Sequence, residues 1–154
     1  MYKIQCDKNF KHILEKFLTI LSIQADVSGF SPWSCDICIL RDEFFPQDFV
    51  PSSEYVLINS DDKALISRIK NLKSKVVSCG LSTRSTATLS SISERKGVIC
   101  LQRSLVNLNG KKYPQFEMPF ELSGLLIDEV SIIMLIISAL LCGADMSRLN
   151  KINI

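Results

Sequence analysis

The sequence predicts an α/β fold in which a parallel core sheet is extended by antiparallel strands and covered by helices. Three observations support this prediction. Residues 54–80 have the pattern of a compact strand–helix–strand unit, which implies a right-handed parallel crossover. Asn109-Gly110 is a strong hairpin signal, and the segment after it alternates apolar and polar side chains, as a strand with one wet face does. A long apolar helix at 127–142 then supplies a cover for the sheet.

The first part of the chain predicts one helix and two buried strands. At 7–25 the apolar side chains follow helical spacing, and Asp7 is a suitable N-cap. A break at 28–33 separates this helix from "CDICIL" at 35–40, an apolar run with a single charge that is typical of a buried strand. After a loop with two prolines, "EYVLIN" at 54–59 has the same character and predicts the second strand.

The middle of the chain predicts a helix, a third strand and a more polar segment. The helix has apolar residues at helical spacing, namely Leu65, Ile66, Ile69 and Leu72. The third strand, "KVVSCG" at 75–80, closes on glycine. The segment "STRSTATLSSIS" at 82–93 is polar and rich in hydroxyls, and "GVICLQRSLV" at 97–106 favours a strand.

The last part of the chain predicts a strand with one buried and one solvent-exposed face, followed by two helices. In "YPQFEMPFEL" at 113–122, the side chains expected on the buried face are Phe116, Met118, Phe120 and Leu122. The apolar helix at 127–142 is expected to end at Gly143, and a short helix at 145–151 follows. Together the elements predict one Rossmann-like three-layer domain over 1–154.

Composition limits the possible functions. Apolar residues make up 47% of the 154 and charged residues 22%, which is typical of a globular domain with a real core. The net charge is +2 and the basic residues are scattered, so we expect no binding of nucleic acid. The apolar run Val130–Cys142 is too short to span a bilayer, so we expect no membrane association. Because the N-terminus lacks the layout of a signal peptide, we expect a cytoplasmic protein with six reduced cysteines.

Asp61 and Asp62 are the first candidate ligand-binding residues. They follow a predicted parallel strand at its carboxyl end, where α/β proteins bind ligands. Aspartate is also a preferred helix cap, and the capping interpretation is the one we favour. No third carboxylate or histidine lies close in sequence, so we expect no metal site.

Ser82, Thr83 and Arg84 are further candidate ligand-binding residues. They follow the glycine that ends the third strand, and their hydroxyl and guanidinium groups suit an anion. A twisted, exposed strand explains the same residues equally well.

No residue pattern predicts catalysis. Cys35 and Cys38 form a C-x-x-C, but on a strand their side chains are expected on opposite faces, as small buried residues. His12 is the only histidine and falls on the polar side of the first helix. Gly110-Lys111 fails the test for a phosphate loop, and no other nucleotide motif occurs. We therefore expect no catalytic residue and no cofactor.

Over residues 54–150 the chain resembles the central domain of the Mur ligase family, the bacterial enzymes that join amino acids to a cell-wall precursor. The segments that carry the resemblance are "VLINSDD" at 56–62, "KVVSCGLS" at 75–82, "FELSG" at 120–124 and "CGAD" at 142–145. The resemblance implies a truncated central domain and adds Asn59 to the candidate ligand-binding residues. The family's phosphate loop, Gly-x-x-Gly-Lys-Thr, is absent, and its Gly-x-His-Asn corresponds here to residues 124–127, where the polar pair is replaced by Leu126 and Ile127.

These observations leave three functional hypotheses. The first is a non-catalytic module, derived from a Mur-type central domain, that binds a partner protein or a small cell-wall-related ligand. The second is an enzyme that acts on a nucleotide or phosphorylated substrate through Asp61, Asp62 and the Ser/Thr–Arg segment. The third is a subunit whose ATP-binding half comes from another chain, with the 127–142 helix supporting a homo-oligomer.

Overall fold

The structure, a computed structural model, describes residues 1–69, 71–93, 96–123 and 127–153. Its helices are α1 (Lys8–Ile20), α2 (Lys63–Arg68) and α3 (Glu129–Leu141), followed by a 3₁₀ helix (Met146–Asn150). The strands are β1 (Tyr2–Gln5), β2 (Ala25–Ser28), β3 (Cys35–Leu40), β4 (Ser53–Asn59), β5 (Lys75–Cys79), β6 (Ala87–Ser93), β7 (Lys96–Leu101), β8 (Leu105–Val106), β9 (Lys112–Tyr113), β10 (Phe116–Ser123) and β11 (Ile152–Asn153). The predicted α/β class is confirmed.

Nine strands form one mostly parallel sheet in the order β11-β10-β7-β6-β5-β4-β3-β1-β2. Neighbouring strands from β2 to β6 are parallel, whereas β7 is antiparallel to both β6 and β10. The predicted crossover at 54–80 is confirmed, since β4 and β5 are parallel with Val56 opposite Val76. The antiparallel extension is confirmed as well.

The helices cover the two faces of the sheet unequally, in a Rossmann-like layout. On one face, α1 and α3 pack with the sheet into a large apolar core that contains Ile37, Ile39 and Leu57. On the other face, α2 and its neighbouring loops enclose a smaller cluster of buried residues, which are Cys38, Leu40, Val56, Ile58 and Leu65. Because the side chains of a strand alternate between faces, β3 and β4 contribute to both cores and read as continuous apolar runs.

The helix predicted at 7–25 is shorter than expected, ending at Ile20. Its N-cap is Asp7 as predicted, and the carboxylate accepts from the backbone N–H groups of Asn9 and Phe10. Ser22 has a φ of 60°, which turns the chain so that β2 returns beside β1. The sequence prediction missed both strands, because each has only four residues and little periodicity to detect.

The hairpin and the C-terminal helix follow their predicted signals. Gly110 has a φ of +87° in the turn between β8 and β9, the conformation that glycine adopts without strain. The alternating strand β10, however, pairs with β7 and lies outside that hairpin. Eleven of the thirteen α3 residues are buried, and the helix ends before Gly143, which also has a φ of +87°. Within the described ranges, no helix is long and apolar enough to cross a membrane.

Candidate functional site

The carboxyl ends of the parallel strands bring together most of the residues that the sequence singles out. β1 is followed by Asp7, β3 by Arg41 and β5 by Gly80, while β4 ends on Asn59. The chain passes from β1 to β2 on one side and then to β3 on the other, so the topological switch point lies between β1 and β3. Ligands of open α/β sheets bind in the crevice beyond such a point.

At the switch point, Asp7 and Arg41 form a two-pronged ion pair. Arg41 Nε and Nη2 donate to the two carboxylate oxygens of Asp7, each at 2.7 Å, and both side chains are 20% exposed. Nη1 donates to Ser131 Oγ at 3.1 Å and lies 4.0 Å from Asp128, so the guanidinium also contacts the start of α3. Its flat face covers the Phe10 ring, with the guanidinium carbon 4.8 Å from the ring centroid. This pair ties β1, β3 and two helices together.

The ion pair shifts the pKa values of both partners. Burial by itself would raise the pKa of Asp7, but the hydrogen bonds and charge of Arg41, with the N–H groups of Phe10 and Asn9, outweigh it and hold the pKa below its ordinary value. The bond to Asp7 raises the pKa of Arg41 in turn. Sequence reasoning identified Asp7 only as a cap and missed Arg41, because the two partners are 34 residues apart.

Asn59, Asp61 and Asp62 each bind the protein's own backbone. Asp62 caps α2 by accepting from Leu65 N–H at 3.0 Å, as the capping interpretation predicts. Asp61 does not cap the helix, and its Oδ2 accepts instead from Leu81 N–H at 2.8 Å, across to the end of β5. Asn59 donates to the Arg41 carbonyl at 3.1 Å and accepts from Asp61 N–H at 3.0 Å. The Asp61 carboxylate thus holds the ends of β4 and β5 together.

Gly80 permits this close approach. A Cβ built on Gly80 would lie 2.5 Å from Ser60 Oγ, 2.7 Å from Asp61 Oδ1 and 2.9 Å from Ser85 Oγ. The hydroxyls of Ser60 and Ser85 are hydrogen-bonded to each other at 2.9 Å, so the space is filled by polar side chains of the chain itself. The glycine that the sequence places at the end of the third strand is there for packing.

Ser82, Thr83 and Arg84 lie in an exposed turn between β5 and β6. Ser82 Oγ accepts from Arg84 N–H at 3.2 Å and its carbonyl accepts from Ser85 N–H at 3.1 Å, which closes the turn. The structure therefore places this segment beside Asp61, joined to it through Leu81. Of the three residues, Thr83 faces a groove.

This groove, of about 700 Å³, lies on the sheet face opposite α1 and α3, over β6, β7 and β10. It is lined by Leu81, Thr83, Thr88, Leu89, Ser90, Cys100, Leu101, Gln102, Gln115, Phe116 and Glu117. Thr88 is 6% exposed, and its hydroxyl has no hydrogen-bond partner among the described residues. Sequence analysis missed the groove, although the alternation predicted for 113–122 leaves Glu117 on the wet face, where it is exposed.

His12, Cys35, Cys38 and Cys142 lie outside both regions. Cys6 and Cys79 directly precede Asp7 and Gly80 at the carboxyl edge, and Cys100 lines the groove. Burial raises the pKa of Cys35 to about 11 and that of Cys6 to about 12, which disfavours the reactive thiolate. The prediction that Cys35 and Cys38 point to opposite faces is wrong, because both contact the cluster beside α2. Cys35 is the first residue of β3 and precedes the pairing with β1, which begins at Ile37. His12 is exposed on α1, as predicted.

No group of three or more His, Cys, Asp or Glu side chains could hold a metal ion within the part of the chain that the structure describes. Of the positions 124–127 that correspond to the Gly-x-His-Asn motif, the first three lie outside the described residues. No family model matches the chain, and a search of curated proteins finds no match. The resemblance to the Mur ligase central domain stays a prediction.

Proposed function

We propose that the chain is a non-catalytic binding module, built like the central domain of a Mur ligase, that binds a small cell-wall-related ligand in the bacterial cytoplasm. The observation that carries the proposal is the groove of about 700 Å³ on the sheet face opposite α1 and α3. Its volume falls in the range of small-molecule sites, and Leu81 and Cys100 line it together with hydroxyl, amide and carboxylate side chains. Thr83, one of the candidate ligand-binding residues at 82–84, lines this groove.

The state of the carboxyl edge favours binding over catalysis. A general acid, a base or a nucleophile must be within reach of a substrate atom. Asp61, Asp62 and Asp7 instead accept hydrogen bonds from the protein's own N–H groups or from Arg41. Burial also keeps the pKa of the Cys6, Cys35 and Cys142 thiols above the ordinary value, so these residues are poor nucleophiles.

The retained junction between β4 and β5 supports a derivation from a Mur-type domain. The segment that resembles the family's strand end, with Asn59 and Asp61, fastens two strand ends in this chain. A domain that has lost its phosphate loop still needs that fastening, since buried strand ends require partners for their backbone groups. The six cysteines are free thiols, which suits a reducing cytoplasm.

A thermal-shift screen tests the proposal. The purified chain would be heated with ATP, ADP and UDP-linked sugars, each with and without Mg²⁺, and with the free sugars. A ligand at 100 times its dissociation constant adds about 2.7 kcal/mol, or roughly 5–10 °C for a domain of this size. We expect a shift from a sugar-bearing ligand that does not depend on Mg²⁺. A shift that requires Mg-ATP, with release of phosphate, would contradict the proposal and favour an enzyme.

A second candidate function, the binding of a partner protein, is favoured by two exposed aromatic side chains. Trp33 is 77% exposed and Phe44 is 80% exposed, on loops that flank β3. Large aromatic residues are enriched where proteins bind one another. Sedimentation of the parent and of the double variant Trp33→Ser, Phe44→Ser tests whether they support a homo-oligomer. A concentration-dependent mass that only the parent shows is the expected result for this candidate.

A further inference from the structure

An unsatisfied hydroxyl group marks the groove as more than a gap between strands. Thr88 lies on β6 with its neighbours Ala87 and Leu89 directed to the large core, so its own side chain is on the groove side. Its oxygen is buried without a partner among the described residues. Buried polar groups are normally paired, because leaving one unpaired costs free energy. Because Thr88 is one of the residues that line the groove, a ligand held there is a candidate for the missing partner.

The amide side chains of the groove accept no hydrogen bond at Oε1 from the described residues. Gln102 Nε2 donates to the Ser85 carbonyl at 3.0 Å, and Gln115 Nε2 donates to the Gln102 carbonyl at 2.7 Å. With the nitrogen ends held in this way, the Oε1 atoms remain as acceptors.

The charge of the groove has one sign. Glu117 is the only charged residue among the eleven described residues that line it, and no lysine, arginine or histidine is among them. A carboxylate without a neighbouring cation attracts a positive group and repels a phosphate. An anion site would need a cation such as Arg84, and Arg84 does not line this groove.

The strand register sets the size of the ligand. Thr88, Cys100 and Glu117 lie opposite one another on the adjacent strands β6, β7 and β10. Two strand spacings separate the backbones of Thr88 and Glu117 by about 10 Å, and both side chains project from the same face of the sheet. Between them, Cys100 provides an apolar floor that is 8% exposed.

We propose that this groove binds a small hydroxylated amine, with its ammonium group at Glu117 and a hydroxyl group at Thr88. The inference rests on the proposed function, for which it names the site and the chemical class of the ligand. The amide oxygens of Gln102 and Gln115 accept the remaining donors of the ligand. The ring or chain carbons of the ligand lie over Cys100.

Glucosamine, which carries an ammonium group and several hydroxyls, is the probe we would use, in an NMR titration of the full chain at mildly acidic pH. Its dissociation constant is expected in the low millimolar range, as for a ligand of about twelve heavy atoms. Glucose lacks the ammonium group, and glucosamine 6-phosphate adds an anion near Glu117. Both should bind more weakly than glucosamine.

Three variants locate the site. Thr88→Val keeps the shape of the side chain and removes the hydroxyl, and should weaken binding about fivefold. Glu117→Gln removes the charge and should weaken binding about threefold. Glu121→Gln is the matched control, because Glu121 lies on the same strand beside a different depression and does not line this groove. It should leave the dissociation constant unchanged.

Each outcome decides between the site and the function. The inference is supported if Thr88→Val and Glu117→Gln bind glucosamine more weakly and Glu121→Gln binds it as the parent does. If all variants bind glucosamine equally, the proposed site is wrong and the proposed function stands. The same conclusion follows if UDP-linked sugars give a thermal shift but glucosamine does not bind. Tighter binding of the phosphate overturns the ligand class. If no ligand binds in either experiment, both proposals fail.

Discussion

The carboxyl edge of the parallel strands and the outer face of β6, β7 and β10 use their polar side chains in different ways. At the edge, Asp7, Asp61 and Asp62 each accept hydrogen bonds from the protein itself. On the outer face, Thr88 is buried without a described partner, and Glu117 is exposed above a groove. The edge is where the fold predicts a ligand, yet the free hydrogen-bonding capacity lies on the other surface.

The difference follows from what each region must do for the fold. Several strand ends and the N-termini of α1, α2 and α3 meet at the edge, and each leaves backbone N–H groups that need acceptors. Side chains there are recruited to supply them. On the outer face the backbone groups are already paired within the sheet, so its side chains are free for other contacts. The carboxylates at the ends of the strands are therefore weaker evidence of a ligand-binding site than the unpaired hydroxyl of Thr88 in the groove.

Removing the Asp7 side chain should cause the largest loss of stability, because it disrupts the contacts at the carboxyl edge of the sheet. In Asp7→Ala we expect the free energy of unfolding to fall by about 3 kcal/mol, because a helix cap is lost and the half-buried Arg41 loses its main partner. Urea denaturation measures it. Asp62→Ala, which loses only a cap, is the matched control at about 1 kcal/mol. Equal losses in the two variants would show that the Arg41 pair contributes nothing.

Crowding the edge should have the next largest effect. Gly80→Ala places a methyl group against Ser60 and Asp61, and we expect a loss of about 2 kcal/mol from overpacking. Adding Ser60→Ala removes the atom at 2.5 Å and should recover part of that loss. The double-mutant cycle, measured by urea denaturation, checks this. Additive losses would mean that the contact with Ser60 is not the cause.

Two neighbouring threonines sharpen the comparison on a smaller scale. Thr86 is bonded to Ser78 through its side chain, whereas Thr88 has no described partner. We therefore expect Thr86→Val to lower the free energy of unfolding by about 1 kcal/mol and Thr88→Val to raise it by a similar amount. Changes in the melting temperature of opposite sign would confirm the difference. A loss in both variants would show that the Thr88 hydroxyl is satisfied in solution.

The pH dependence of stability should show the smallest effect. The folded pKa of Asp7 lies below its ordinary value of 3.8, so its ion pair contributes fully above that pH. The contribution is lost as the pH falls through the folded pKa. We expect the stability difference between the parent and Asp7→Asn to shrink when urea denaturation is repeated from about pH 5 down to about pH 3. A constant difference would contradict the pKa shift.

Local patterns predicted those parts of the fold that depend on a few neighbouring residues. Asp7 and Asp62 cap helices as expected, and Gly110 and Gly143 take up the positive φ that their turn and helix end require. The apolar runs of β3 and β4 were identified because burial on both faces leaves a continuous signal. The strands β1 and β2 were missed, since four residues carry too little periodicity.

The sequence by itself determined the α/β class, the crossover at 54–80 and the segments from which the site is built. Only the tertiary structure decided how those segments are used. Arg41 meets Asp7 because β1 and β3 are adjacent, and Glu117 comes level with Thr88 because β7 pairs with both β6 and β10. Such contacts depend on strand order and register, which join residues far apart in the chain and leave no mark at any one position.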